Sequence, residues 1–399
     1  MKPENIFVYV VCGDDEHIDT INFSLKYLKH FSKNKIVVVT DLSRNNKPIA
    51  HDEIINIETP KQFNHHQASI YLKTGLHKFL DLKNNYCYID TDVIAIDKDV
   101  DTVFSHFESP VTFASDHCTL LEFSPYAVNC DCNAVKKGKY KKLDKLQLKY
   151  NPNLSITDPF LQQKSKELMK TFYILKRHIF PYAVLIFKYF VSGRLFHLNK
   201  IFHFDKKKKI WYYSDGRPVL YGIKGYYKKI EKESFFKWDK SKQIWLDDTN
   251  ENAYIAFCNH LTEKIKSKFN IDVAEKNWRH WNGGVFLFNK DSVSFLDAWH
   301  DMTMTIFEDP DWKTRDQGTL IATVWKFSLQ KHNRLPEIFN FIADYYKENI
   351  TFEKGKGFST DKFKTTIKPR FIHVYHEFGR NGWDVWDAIE DIIKEKNSK

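Results

Sequence analysis

The chain has 399 residues, of which 42% are hydrophobic and 16% aromatic, and its formal net charge is +10. That apolar content excludes a disordered chain, and no run reaches the ~18 apolar residues that a membrane span needs. The basic excess favours an anionic partner: nucleic acid, a phosphorylated small molecule or an acidic membrane surface.

The charge is unevenly spread. From Asn133 to Gln243 there are 27 Lys+Arg and 8 Asp+Glu, a balance of +19, which leaves 34 basic against 43 acidic residues elsewhere, or −9. A mildly acidic body with a basic insertion is expected. Ile6–Val11 is too short for a signal peptide and runs straight into Gly13-Asp14-Asp15-Glu16. The six cysteines read as reduced thiols of a cytoplasmic protein. Cys130-Asp131-Cys132 with His117-Cys118 fits no common zinc spacing and reads as ordinary thiols.

In chain order, Ile6–Cys12 is an apolar, β-branched strand pattern. Thr20–Phe31 has helical spacing, and Ile36–Thr40 is a second strand ending at Asp41. Gln67–Leu80 predicts one helix, with Ala68, Tyr71, Leu72, Leu76, Phe79 and Leu80 on one stripe. Tyr86–Ile89 is a third strand, ending at Asp90. Alternating strands and helices with continuously apolar strands imply a parallel sheet covered on both faces. From Leu120 to Ile271 this pattern is replaced by Lys-rich helical pieces, aromatic runs and a hairpin around Ser214-Asp215-Gly216. It returns with a strand at Gly284–Asn289, helices at Asp291–His300 and Arg315–Lys326, a strand at Arg370–Val374 and a helix from Asp384 to Lys396. The predicted divisions are 1–119, 120–275 and 276–399.

The sharpest motif is Tyr88-Ile89-Asp90-Thr91-Asp92-Val93. Alternation points Asp90 and Asp92 to the same side of the strand end, where ligands collect in α/β sheets. Hard oxygen ligands at that spacing suit Mg²⁺ or Mn²⁺ with positions open to phosphate oxygens. A solvated turn is the plainer reading of the same residues.

Five segments then resemble, in order, the GT-A-fold glycosyltransferases of the family-eight type, which includes glycogenin and bacterial lipooligosaccharide galactosyltransferases. They are Val11–Glu16, Tyr88–Asp92, Trp281-Asn282-Gly283-Gly284-Val285-Phe286, Arg315-Asp316-Gln317 and, in part, His376-Glu377-Phe378-Gly379-Arg380-Asn381-Gly382-Trp383. They cover about 230 positions and leave the middle uncovered. The resemblance implies a GT-A Rossmann-like α/β fold: a mixed sheet flanked by helices, with a large basic insertion. It also implies an Asp-x-Asp, Mn²⁺- or Mg²⁺-dependent hexosyl transfer from a nucleotide-diphosphate sugar, UDP-linked, to a glycan or lipid-linked acceptor of a surface polysaccharide. Cys12, Asp14 and Asp15 would bind the nucleotide. Asp90, Asp92 and His376 would hold the metal, with His373 as the rival ligand. Asn282, Gly283 and Gly284 would lie beside the donor sugar, Asp316 would grip its hydroxyls and Gln317 would sit under the anomeric carbon. Gly379 keeps the closing-loop spacing, and Arg380 would replace a lysine that this loop lacks. Lys73 would face the phosphates, with a solvated side chain as the simpler alternative. Trp278 and Trp281 would stack on the acceptor, with core packing as the alternative. Resemblance leans to retention of configuration; Asp316 as a base would serve inversion.

Two other classes compete. A sugar-phosphate nucleotidyltransferase would need a Gly-rich loop with Arg or Lys after the first strand, and Cys12–Ile18 has none. An inactive membrane-associated binding protein would not need the three metal ligands to converge. For the insertion, a basic aromatic platform on an anionic membrane through residues 133–243 and a merely solvated lysine-rich surface stand level. Nucleic acid is disfavoured, since no RNA- or DNA-binding motif appears. The expected location is cytoplasmic, peripheral on the inner face of the membrane.

Overall fold

The computed structural model describes residues 3–223, 225–275, 277–346, 350–353, 356–360 and 366–397. The chain forms two compact units, one of residues 1–130 and 257–399 and one of residues 131–256.

The first unit begins with β1 (Asn5–Val11), α1 (Asp15–Phe31), β2 (Lys35–Thr40), β3 (Ile54–Asn56), α2 (His65–Thr74), α3 (Leu76–Phe79), β4 (Asn85–Ile89), β5 (Val93–Ala95), β6 (Thr112–Thr119) and α4 (Leu120–Ala127). The single helix expected over Gln67–Leu80 is two helices divided at Gly75.

The second unit contains α5 (Cys132–Tyr150), α6 (Pro159–Lys176), α7 (Ile179–Val191), β7 (Leu195–His197), β8 (Phe202–Asp205), β9 (Ile210–Tyr213), β10 (Pro218–Tyr221), α8 (Tyr226–Glu233), β11 (Lys237–Asp239) and β12 (Ile244–Leu246). Strands β7 to β10 form one antiparallel sheet, and the expected hairpin at Asp215-Gly216 joins β9 to β10. Two small cores hold this unit. Leu161, Leu168, Phe196, Phe202, Trp211 and Val219 make one; Leu143, Ile230, Phe236, Trp245 and Ala253 make the other. Inside it the buried Lys136 ammonium meets Asp247 at 2.9 Å, a pairing that a buried charge requires.

The first unit resumes with α9 (His260–Phe269), β13 (Arg279–Phe288), α10 (Val293–Thr305), α11 (Arg315–Lys326), β14 (Phe341–Ile342), β15 (Ile350–Glu353), β16 (Gly357–Thr360), β17 (Phe371–His373) and α12 (Asp384–Asn397). The inserted unit is shorter than the expected 120–275. Leu120 and Ala127 of α4 and Leu261 and Ile265 of α9 lie in the core of the first unit, so both helices belong there. Widening the basic stretch from 133–243 to 131–256 adds Asp131, Asp247, Asp248 and Glu251 and no basic residue, giving 27 against 12, or +15.

The main sheet has the order β3-β2-β1-β4-β13-β6. The four strands from β3 to β4 are parallel, and β13 runs antiparallel to both β4 and β6. It is the mixed sheet that the family resemblance implies; the parallel arrangement read from the apolar strands alone holds from β3 to β4. Continuous apolar strands report burial of both faces, which β13 also has, and say nothing about direction. Alternation along β1 makes the point: Ile6, Val8 and Val10 enter one core, and Phe7, Tyr9 and Val11 the other. A second sheet, β14-β17-β5, continues from the strand end that carries Asp90.

Trp281 and Trp278 are core residues, which corrects the expectation that they stack on an acceptor. Trp281 is 0% exposed and stacks on Phe113 at 5.2 Å. Trp278 is buried and donates from Nε1 to Gln330 O at 3.0 Å. Trp281 pairs with Ser115 of β6, and its ring lies in the core with Phe113, Phe286 and Phe295.

Asp41, at the end of β2, fastens the adjoining loop. Its carboxylate accepts from Ser43 Oγ at 2.6 Å, Thr59 N at 2.8 Å, Thr59 Oγ1 at 2.7 Å and Arg44 Nε at 3.2 Å. Burial alone would raise its pKa, but the Ser43 and Thr59 donors outweigh that and bring it to about 2.

Two predictions follow from these placements. The folded pKa of Asp41 is below the unfolded value of about 3.9, so its contribution is present above that value and lost as pH falls through about 2. Urea unfolding across that window should show a flatter pH dependence for Asp41→Asn than for wild type. Trp281→Ala should lower unfolding stability by about 3–5 kcal/mol; unchanged stability in the same urea titration would show that the ring is not core.

Candidate active site

The carboxyl end of β4 carries the charge that the site is built around. Asp90 leaves a strand buried on both faces, and its backbone N–H donates to Gly284 O at 2.8 Å. Its carboxylate accepts from Tyr88 OH and pairs with Lys73 Nζ at 3.2 Å. Lys73 Nζ pairs equally with Asp316 Oδ2 at 3.2 Å and lies 5.1 Å from the centre of the Tyr88 ring. The lysine is buried, not solvated. Burial alone would lower its pKa, but Asp90 and Asp316 outweigh that and hold it above the usual lysine value. Burial likewise opposes ionisation of Asp316, and Lys73 reverses it, so its pKa is lowered.

Helix ends set these positions. Asn64 Oδ1 accepts from Gln67 N at 2.8 Å and Gln67 Oε1 from Asn64 N at 3.0 Å, a capping box that fixes the start of α2. Lys73 sits in its last turn. Asp316 lies in the first turn of α11, where the helix dipole favours a carboxylate.

The second sheet supplies the histidine. Strand β5 starts right after Asp92 and pairs antiparallel with β17 in the register His373↔Val93. That register brings His373 Nε2 to 3.3 Å from Asp92 Oδ1. Asp90, Asp92 and His373 each offer one ligand atom, all within 4.8 Å of one another. The histidine brought to Asp92 is His373, the rival, and not His376, which lies three residues beyond the end of β17 and is exposed.

A hydrogen-bonded chain fixes how His373 is presented. Gly284 N–H donates to Asn282 Oδ1 at 2.8 Å, so Asn282 Nδ2 is the atom that donates to Asp116 Oδ2 at 2.9 Å. Asn340 Nδ2 donates to the same Asn282 Oδ1 at 3.0 Å, which leaves Asn340 Oδ1 to accept from His373 Nδ1 at 2.9 Å. Nδ1 of His373 thus carries a proton, and Nε2 faces Asp92. This is the arrangement of a metal-ligating imidazole with its outer partner in place.

The residues fit a divalent cation. Asp92 Oδ1 is buried with no hydrogen-bond donor. Burial and the neighbouring Asp92 raise Asp90 despite Lys73; burial of Asp92 is outweighed by the imidazolium form of His373, whose own pKa Asp92 raises against burial, so a divalent cation would take the place of the Nε2 proton. Two carboxylates and an imidazole crowded in low dielectric suit a borderline ion such as Mn²⁺.

Strand β13 bulges beside this cluster. Its pairing with β6 jumps from Asn282↔Ala114 to Phe286↔Phe113, so 283–285 leave the ladder. Gly283 N–H donates to Gln317 Oε1 at 3.1 Å, and Gln317 Nε2 donates to Trp281 O. A Cβ on Gly284 would lie 2.8 Å from His373 Cε1, so only glycine allows the approach.

The loop after β1 lies on the same edge of the sheet. The parallel register Val8↔Tyr88 runs both strands toward Cys12 and Asp90. Gly13 has φ +94°, and a Cβ there would lie 2.1 Å from the His65 ring. Its N–H donates to Asn45 Oδ1 at 2.8 Å. The Cys12 thiol is buried, which raises its pKa. Asp14 is exposed and bonded to His65 Nδ1 at 2.8 Å. Asp15 is exposed at the start of α1, 3.8 Å from Lys47 Nζ.

The closing segment stands apart. Gly379 (φ +77°) and Arg380 are exposed, and Arg380 Nη1 donates to Glu377 Oε2 at 2.9 Å. The buried Asp344 carboxylate accepts from the N–H groups of Tyr375, His376 and Glu377 at 2.8, 3.2 and 2.9 Å. A cavity lined by Asp116, His117, Arg279, Glu337, Asn340 and Tyr345, among others, opens beside the Asn282–Asn340 pair.

Sequence reasoning missed Asp116, Asn340 and Asp344. Asp116 had only a weak signal, since it follows the run Val111–Ala114 by two residues and lies within β6. Asn340 and Asp344 lie in short irregular segments without periodicity.

No protein-family model matches the sequence, and no curated protein matches it. Among solved structures, the chain is similar to the bifunctional glycosyltransferase WbbM (12% identity, 98% of this chain and 49% of that one, TM-score 0.40). It spans about half of that protein's length. It is also similar to the galactosyltransferase LgtC in complex with donor and acceptor sugar analogues (10% identity, 98% and 95% covered, TM-score 0.41). A third is mouse xyloside xylosyltransferase 1 (8% identity, 85% and 87% covered, TM-score 0.34).

Proposed function

We propose that the chain is a metal-dependent glycosyltransferase that takes a sugar from a nucleotide-diphosphate donor, UDP-linked, to a glycan or lipid-linked acceptor. The convergence of Asp90, Asp92 and His373, with Nε2 of the histidine turned toward the carboxylates, carries this reading. An Mn²⁺ or Mg²⁺ ion on these three residues supplies neutralisation of the charge that develops on the departing diphosphate.

The chain's own groups have distinct parts in this reading. The Cys12–Asp15 loop binds the nucleotide base at the sheet edge. Lys73 is a positioning residue: its charge is spent between Asp90 and Asp316, and it keeps both carboxylates in place. Asp316 accepts from donor-sugar hydroxyls. Its Oδ2 is engaged by Lys73 at 3.2 Å, so it orients sugar hydroxyls in this reading and is not the base that an inversion would need. Gln317 holds the bulged Gly283 backbone, so the donor sugar meets a fixed floor. The cavity beside Asp116 and Asn340 takes the acceptor, in place of the two core tryptophans. Arg380 and Gly379 act in the closing segment that Asp344 ties down.

A donor screen with Mn²⁺ that scores nucleotide release tests this. Chelator should abolish turnover, and Asp92→Ala should lower it by about two orders of magnitude or more. Wild-type turnover that survives chelation, or full turnover in Asp92→Ala, overturns the reading.

The acceptor reading gains from α7. This helix is apolar throughout except Lys188 and has no buried residue; Ile179 is 88% and Phe180 80% exposed. No helix among the described residues is long and apolar enough to cross a membrane. At 13 residues α7 spans about 20 Å, short of the ~30 Å of a bilayer core. Lys176, Arg177, Lys188 and Arg194 flank or interrupt it, and no acidic residue occurs from Leu168 to Phe204. An apolar helix flanked by basic residues, of which Arg194 is paired with Asp205 at 2.8 Å, fits the plane of an anionic lipid surface. Flotation with phosphatidylglycerol vesicles should show binding at low salt that weakens at high salt, and loss of it in Phe180→Ser/Phe187→Ser. Absence of binding at low salt, or unchanged binding by this variant, overturns it.

A further inference from the structure

A second cluster of metal-ligating side chains lies in the first unit, built on different chemistry. Cys130 follows α4 by way of the bridge Val128↔Trp312, and Asn129 N–H donates to Asp311 O at 2.8 Å. Cys258 precedes α9. Its N–H donates to Leu121 O at 3.3 Å, and its Sγ lies 3.1 Å from Ser124 Oγ. His260 is the first residue of α9, and Leu261 N–H next to it donates to Ser124 Oγ at 2.9 Å. Both segments are thus pinned to α4, and Leu120, Ala127, Val128, Leu261 and Trp312 bury that packing. The outcome is that Cys130, Cys258 and His260 each bring a ligand atom within 4.8 Å of the others. The cysteines are half-buried and the histidine exposed, so an ion has a way in.

We propose that Cys130, Cys258 and His260 form a structural zinc site. Thiolates and imidazole are the ligands zinc prefers, and a tetrahedral ion sets such atoms roughly 3.4–3.8 Å apart, a small closure from what is seen. The sequence repeats the spacing: Cys130-Asp131-Cys132 and Cys258-Asn259-His260. The partners differ from those first considered. Cys118 is engaged with Asp116 Oδ1 at 3.4 Å and His280 Nε2 at 3.6 Å. The signal was hidden because 125 residues separate Cys132 from Cys258, far beyond common zinc-motif spacing. The site does not rest on the proposed transferase reading, since its donors are soft where Asp90 and Asp92 are hard.

The test uses the full chain, purified without a chelating tag, stripped of metal and titrated with Co²⁺. A sulfur-to-cobalt charge-transfer band should saturate at one equivalent and vanish on adding Zn²⁺. The Asp90–Asp92–His373 cluster has no thiol and cannot give it. Cys258→Ser should lose most of the band and Cys118→Ser should keep it. In wild type, Zn²⁺ should slow alkylation of Cys130 and Cys258 about tenfold or more, read by peptide mass, a measurement that needs no variant. A wild-type chain without the band, a full band in Cys258→Ser, or equal alkylation rates with and without Zn²⁺ overturns the proposal.

Discussion

A buried carboxylate needs a partner, and Asp90 has its partner in Lys73. Asp90 ends a strand covered on both faces, where water cannot solvate its charge, and burial with a second carboxylate two residues away drives its pKa up. Lys73 reaches it from the last turn of α2, and the same ammonium holds Asp316 from the first turn of α11. Two neighbouring elements, α2 and β4, are thereby tied through one cation to the distant α11. Removing one member of such a set leaves an uncompensated buried charge, a loss of about 3–5 kcal/mol. The capping box of α2 and the first-turn position of Asp316 are the local conditions for it.

Around that knot the neutral groups do the orienting. The run Asp116–Asn282–Asn340–His373 begins at a backbone N–H, whose direction is beyond doubt, and passes that direction outward one amide at a time. Its effect is to turn Nε2 of His373 toward Asp92. Such outer partners matter as much as the ligands, because an imidazole with the wrong tautomer offers a proton where a lone pair is needed. The bulge at 283–285 and the glycine at 284 make room for this, since a side chain there would strike the histidine ring.

The two units divide the labour by charge. The unit with the carboxylates holds both metal-ligating clusters proposed for it, one hard and one soft. The inserted unit carries +15 and the exposed α7. In the proposed reading, donor chemistry would belong to the first and placement at an anionic surface to the second. The two proposals fail or stand separately, because one is read by nucleotide release and the other by vesicle flotation.

The sequence by itself determined β1, β2, β4, β13 and β17, the helices α1, α10, α11 and α12, the Asp-x-Asp at the end of β4, the Asn282–Gly284 segment and the Asp316–Gln317 helix start. Burial patterns and strand-end carboxylates are local properties, so they are written in neighbouring residues. Only the tertiary structure decided strand direction, because an apolar strand looks the same whichever way it runs. It alone chose His373 over His376, since the register of β17 on β5 brings one histidine to Asp92 and carries the other past it. It moved Trp278 and Trp281 into the core, where an aromatic side chain on β13 faces packed neighbours instead of solvent. It set Lys73, expected to face the phosphates, between Asp90 and Asp316, and it brought Cys258 and His260 to Cys130 although the whole inserted unit separates them in sequence. Each of these depends on which distant segment a residue meets, and that is set by packing and pairing, not by the residues beside it.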